Sequence, residues 1–162
     1  MESDSSRLWD ILSKASQDVE LEEGEIRFAV NSLSGPSIGD RAYACEVLFR
    51  AAPSQLMKQQ ALNTLEELCN TDVEGEHVMT MMTVMLFIPL SALDRPPLRA
   101  FAMNAARSKF WGVRTNAVLV LERLAHAQDA EALRLLSDLA DDENEHVRSN
   151  SRNSLSRLAG EK

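Results

Sequence analysis

The segment Val113-Arg114-Thr115-Asn116-Ala117 returns 34 residues later as Val147-Arg148-Ser149-Asn150-Ser151. The echo runs on, with Leu121, Arg123, Leu124 and Ala125 answered by Leu155, Arg157, Leu158 and Ala159, so that seven of thirteen aligned positions are identical. Between the copies lie an amphipathic stretch, Ala130 to Ala140, and the acidic loop Asp141-Asp142-Glu143-Asn144. A unit this short, holding two helices, cannot cover its own apolar stripe, so such units must stack on their neighbours. Fainter versions of the pattern occur at Arg41, Ala44, Leu48, Arg50 and Ala52, then at Lys58, Ala61, Leu65 and Leu68, and at Leu98-Arg99 with Ala102.

Helical spacing recurs from end to end, and no segment keeps a period of two. Only six glycines, five prolines and 5% aromatic residues also count against a turn-rich β fold. A first helix, capped by Ser3, Asp4 or Ser5, carries Leu8, Ile11, Leu12 and Ala15 inward; a second, about Glu22 to Leu33, carries Ile26, Ala29, Val30 and Leu33. A third starts near Ile38, and Pro53 takes a first-turn position in a fourth that bears Leu56, Ala61, Leu65 and Leu68. Asp72 caps a fifth that runs into Pro89, and Pro96-Pro97 open a sixth. The last three cover about Val113 to Ala125, Ala130 to Ala140 and Glu145 to Leu158. The expectation is an all-α chain of about nine helices.

A short helix, an Asp-rich loop and then Val-Arg-x-x-Ala opening a longer helix resembles a HEAT repeat, most clearly over Val113 to Ala159. The resemblance implies a right-handed α-solenoid of about four stacked helical pairs in a single domain, 1–162. Residues 1–35 would then form N-terminal capping helices, 36–110 degenerate repeats and 111–160 the clearest repeats. Within such a stack, Arg114 and Arg148 are placed to reach Asp141, Asp142 or loop carbonyls of the adjoining repeat, and Asn116 and Asn150 to lock the inter-repeat loops.

Charge narrows the function. The chain of 162 residues carries 17 bases and 25 acids, a net charge of -8 that disfavours nucleic acid as a general partner and favours a basic protein. The acids cluster as Glu66, Glu67, Asp72, Glu74 and Glu76, and again as Asp138, Asp141, Asp142, Glu143 and Glu145, which are the candidate protein-binding residues. From Arg95 to Leu121 the sign reverses: Arg95, Arg99, Arg107, Lys109 and Arg114 stand without an acid, beside Phe101, Phe110 and Trp111. The main expectation for this stretch is charge complementarity within the chain, with Phe110 and Trp111 as a staple on the next turn. Its alternative is an anion or nucleic-acid contact formed by Arg95, Arg99, Arg107, Lys109, Trp111 and Arg114. HEAT-like folds include DNA alkylation-repair glycosylases, which gives that alternative a precedent in the family.

Little in the sequence points to chemistry. His77, His126 and His146 lack metal-ligand spacing, and Cys45 and Cys69 stand without a CxxC, so no metal or cofactor is expected. There is no Gly-x-Ser-x-Gly elbow or phosphate-cradling glycine loop. Met79, Met81, Met82 and Met85 read as a central core helix rather than an adaptable groove. The longest uncharged apolar stretch, Val78 to Leu90, is too short to span a bilayer, and the acidic N-terminus lacks a secretory pattern. The reading is a cytoplasmic, monomeric, non-catalytic interaction module, an adaptor or an immunity-type inhibitor that masks a basic partner.

Overall fold

A computed structural model describes residues 4–71 and 76–160, with Glu76 described in its backbone alone. Within them are ten helices and no strand: α1 (Asp4–Ser16), α2 (Glu23–Ser32), α3 (Ile38–Ala51), α4 (Gln55–Cys69), α5 (Glu76–Val84), α6 (Leu90–Leu93), α7 (Pro96–Ala105), α8 (Trp111–His126), α9 (Ala130–Leu139) and α10 (Glu145–Gly160). The helices cluster into two compact units, residues 1–88 and 89–162.

Local chemistry sets the helix starts. The hydroxyls of Ser37 and Ser54 accept the amides of Asp40 and Met57, and the Asp129 carboxylate accepts those of Glu131 and Ala132. Asn144 accepts the amides of His146 and Val147 and so starts α10. Loop-fastening by asparagine was expected from Asn116 and Asn150; it is Asn144 that does it. Pro53 does not enter the first turn of α4. Ser54 is the cap and Gln55 the first helical residue, while Pro53 holds Ala52 extended at φ -67° and ψ 131°. The fifth helix also stops short of Pro89. After Val84 the amides of Leu86 and Phe87 bond three residues back, and Pro89 instead caps the single turn of α6, the extra helix. The Asp72 cap lies outside the described residues.

In the unit 1–88, α3 is the hub, packed by α1, α2, α4 and α5. Ala42, Ala44, Cys45, Val47 and Leu48 are completely buried. Gly39 gives α5 close approach, since a Cβ there would meet His77 Cε1 at 3.1 Å, a tight contact. Met81, Met82 and Met85 are buried in the core, as the sequence reading had it, and Met79 is exposed. Helices α1 and α3 run parallel: Ser5 bonds Asp40, and one turn on Trp9 meets Tyr43, offsets of 35 and 34 residues.

The unit 89–162 repeats that geometry. Helix α8 is its centre, with Val113, Ala117, Val118, Val120, Leu121 and Leu124 buried against α6, α7, α9 and α10. Helix α10 lies parallel to α8: Trp111 stacks near His146 and Glu122 bonds Arg157, each 35 residues apart. The 34-residue echo in sequence thus corresponds to a parallel stacking step in space. Ser151 stands where the echo has Ala117, and its hydroxyl is satisfied by donating to the Leu136 carbonyl.

Candidate protein-binding surface

The candidate clusters draw on helix ends and the loops between them: Glu66 and Glu67 from the last turns of α4, Asp138 from the end of α9, and Asp141, Asp142 and Glu143 from the loop before α10. In the unit 89–162, Arg114 projects from the first turn of α8 and grips Asp142 with two hydrogen bonds of 2.7 and 2.8 Å. It also donates to the Ser108 and Lys109 carbonyls, so its guanidinium is nearly saturated. Both side chains are withdrawn from water, 9% and 8% exposed. Arg148, the echo of Arg114, donates to the Asp142 and Glu143 carbonyls instead. Hydrogen bonding from Arg114, with the Asn144 amide, outweighs burial and holds the Asp142 carboxyl below its ordinary range. Asp142 therefore belongs to the repeat joint.

The other acids of this cluster remain at the surface. Asp138 pairs loosely with Arg134 at 3.4 Å, and Asp141 with Arg152 at 3.2 Å. Glu143 reaches Arg114 only at 3.5 Å and is largely exposed, as is Glu145. In the other unit Glu67 takes Arg41 at 2.7 Å while staying mostly exposed, and Glu66 is half-buried. Asp72 and Glu74 lie outside the described residues, as does the side chain of Glu76. The two acidic clusters thus sit on different units.

The basic stretch is largely answered within its own unit. Arg99 forks onto Asp129 at 2.7 and 3.0 Å and also reaches Glu131 at 3.0 Å. Arg107 approaches Glu131 at 3.6 Å, and the Lys109 ammonium lies 5.0 Å from the Phe110 ring centroid. Arg95 is half-buried. Asp129, a helix cap as well as an ion partner, is held below the usual carboxylate range chiefly by Arg99, whose own pKa is pushed up by the same bonds. Phe110 caps α8 and Trp111 opens it, both about half exposed. Trp111 leans on His146 of α10, with ring centroids 5.7 Å apart, so its contact crosses to the neighbouring pair.

Two observations were missed in sequence. The first is how charge divides: residues 1–88 hold fifteen acids and six bases, and residues 89–162 ten acids and eleven bases. The acid excess resides wholly in the first unit. Five of its six bases are engaged there already: Lys14 with Glu25, Arg27 with Glu23, Arg41 with Glu67, Arg50 with Glu46, and Arg7 over the Phe28 ring at 4.2 Å. The charge counts were legible; the boundary at Ile88 that divides them was not. The second is Trp9, 59% exposed and set edge-on against Tyr43 with centroids 5.8 Å apart. Its signal was its place off the Leu8, Ile11, Leu12, Ala15 stripe.

Two of the three histidines pack on neighbouring helices, and His126 lines the groove at the end of α8. His77 packs on Gly39, and His146 on Trp111. Burial pushes the Cys45 thiol up to about 12 and raises Cys69 as well, so neither is a ready nucleophile. Among the described residues no group of three His, Cys, Asp or Glu is placed to hold a metal ion, and no helix is long and apolar enough to cross a membrane. A groove of about 710 Å³ at the C-terminal ends of α8 and α10 is lined by Leu133, Leu155 and Leu158, with Asp129 at its edge already bound to Arg99. No family model matches the chain, and no curated protein sequence matches it either.

Proposed function

We propose that this protein is a non-catalytic interaction module, an adaptor or an immunity-type inhibitor, that captures a basic protein through acidic surface. We also propose a right-handed, HEAT-like solenoid of about four helical pairs as its architecture, because a parallel step of 34 to 35 residues recurs inside each unit. One observation carries the functional reading: the acid excess of residues 1–88, with five of the six bases of that unit turned onto acids or rings of their own. Such a field accelerates encounter with a cationic partner and repels phosphate.

The alternative, nucleic-acid contact through residues 95–114, draws less support. Arg99, Arg107 and Arg114 face carboxylates, and freeing them for phosphate would break their pairs with Asp129, Glu131 and Asp142.

Native pull-down with mass spectrometry, followed by kinetics on the captured protein, tests the reading. The expected partner is basic, and its association rate falls about tenfold or more between roughly 50 and 500 mM salt. A salt-independent association rate, or an acidic partner, would overturn it. Retardation of short duplex or single-stranded DNA by tens of micromolar protein would favour the alternative.

A further inference from the structure

We infer that the seam between α1 and α3 is the anchoring point of the partner, and that the group it takes is an arginine side chain. The inference rests on the acidic-surface reading and gives it a location.

Trp9 is the most exposed aromatic residue among the described ones. It stands on α1 nearly perpendicular to the Tyr43 ring of α3, a contact that holds the indole and lowers the entropic cost of binding. One turn below, Asp40 accepts the Ser5 hydroxyl at a single oxygen, Oδ1, 2.6 Å away. The seam therefore offers an indole that is 59% exposed with a carboxylate about one helical turn away. Asp4 and Asp10, both exposed, extend the negative charge along α1.

Charge complementarity selects the occupant. The unit carries nine more acids than bases. The cations nearest in sequence are engaged elsewhere, Arg7 over the Phe28 ring and Arg41 with Glu67. An apolar partner would bury the indole but leave the Asp40 charge desolvated with only the Ser5 hydroxyl to meet it and no counter-ion, which is unfavourable. A guanidinium satisfies both: its plane stacks on the indole and its fork of N–H donors reaches the carboxylate. An ammonium can do only one of these well. Aromatic anchors fixed on helices are also the residues that dominate binding energy at interfaces. Arg50 over the Phe87 ring, at 3.7 Å, shows this pairing already in use inside the same unit.

The test uses the whole chain and three probes: octa-arginine, octa-lysine and octa-glutamate. The two indole N–H signals in nitrogen–proton spectra, assigned with W9F and W111F, report where each probe binds. Octa-arginine is expected to bind saturably at low salt, to move the Trp9 signal and leave the Trp111 signal in place, and to bind more tightly than octa-lysine. Octa-glutamate moves neither. W9A weakens octa-arginine binding by about tenfold, and D40N by a smaller factor. W9F keeps most of the affinity, which separates loss of the ring from loss of the fold. Octa-arginine binding with an unmoved Trp9 signal and an unaffected W9A would overturn this inference and leave the acidic-surface reading standing. Absence of octa-arginine binding at low salt would overturn both.

Discussion

Arg114 does at the scale of one residue what a longer hydrophobic interface does elsewhere. It is buried, which is unfavourable for a cation, and it stays because Asp142 and two carbonyls meet its fork. Removing one side of such a pair strands the other, so D142N should lower stability by about 3 kcal/mol in urea denaturation. The R114A/D142A double variant should lose less than the two single losses added together, since neither charge is then left alone. The pH dependence has a definite sign. Asp142 and Asp129 are held below the ordinary carboxylate range in the folded protein by Arg114 and Arg99. Their contribution is therefore complete above the unfolded value of about 4 and drains away as pH falls from there through the lowered folded values. Urea midpoints should stay level from neutrality down to about pH 5 and then drop. D142N should drop less steeply; an equal slope would count against the assignment.

At the scale of helices, much was legible and the omissions have physical causes. The apolar stripes of α1, α8 and α9 are buried as their spacing requires. The Arg-to-loop contact of the last repeats followed from the echo of Val113-Arg114 in Val147-Arg148, and Arg114 and Arg148 both make it. Helix α6 escaped because four residues show no periodicity, and α5 ended early because its apolar residues continue into a turn without a polar break. Pro53 misled because proline suits both the first turn and the residue before a cap, and only the Ser54–Met57 bond distinguishes them. The asparagines show why a repeat in sequence is an incomplete guide to roles. Asn116 and Asn150 are the repeated pair, yet Asn144, which the echo does not include, closes the loop. N144A should thus cost about 1 kcal/mol, the usual value of a cap, whereas N150A should stay within about 0.5 kcal/mol. Thermal or urea unfolding of the two variants decides it, and a larger loss for N150A would restore the original expectation. The surface was less legible than the core, since the Trp9 seam depends on which side of α1 meets α3.

Across the whole molecule, the two units are built by the same stacking step but differ in what charge does to them. Residues 89–162 have nearly balanced charge, and their arginines tie each helix to the second one along: Arg99 of α7 to the α9 cap Asp129, Arg114 of α8 to Asp142 before α10, and Arg157 of α10 to Glu122 of α8. Screening weakens such pairs where they are exposed, as at Arg157, and touches the buried Arg114 pair least. Residues 1–88 have the opposite problem, a surplus of like charge whose mutual repulsion opposes compaction until a cationic partner or salt relieves it. Hydrogen exchange of the full chain at about 0.05 and 0.5 M salt, where the Debye length shrinks from roughly 14 to 4 Å, separates the two. Amides of α1, α3 and α4 should gain protection severalfold with salt, and amides of α8 and α10 should hold steady or lose some. The same gain in protection is expected on adding octa-arginine at low salt, confined to the first unit, because a bound polycation relieves the repulsion that salt screens. If salt moves both units in one direction, repulsion within residues 1–88 is not what sets their stability, and the field proposed to draw in a basic protein is weaker than the charge count implies.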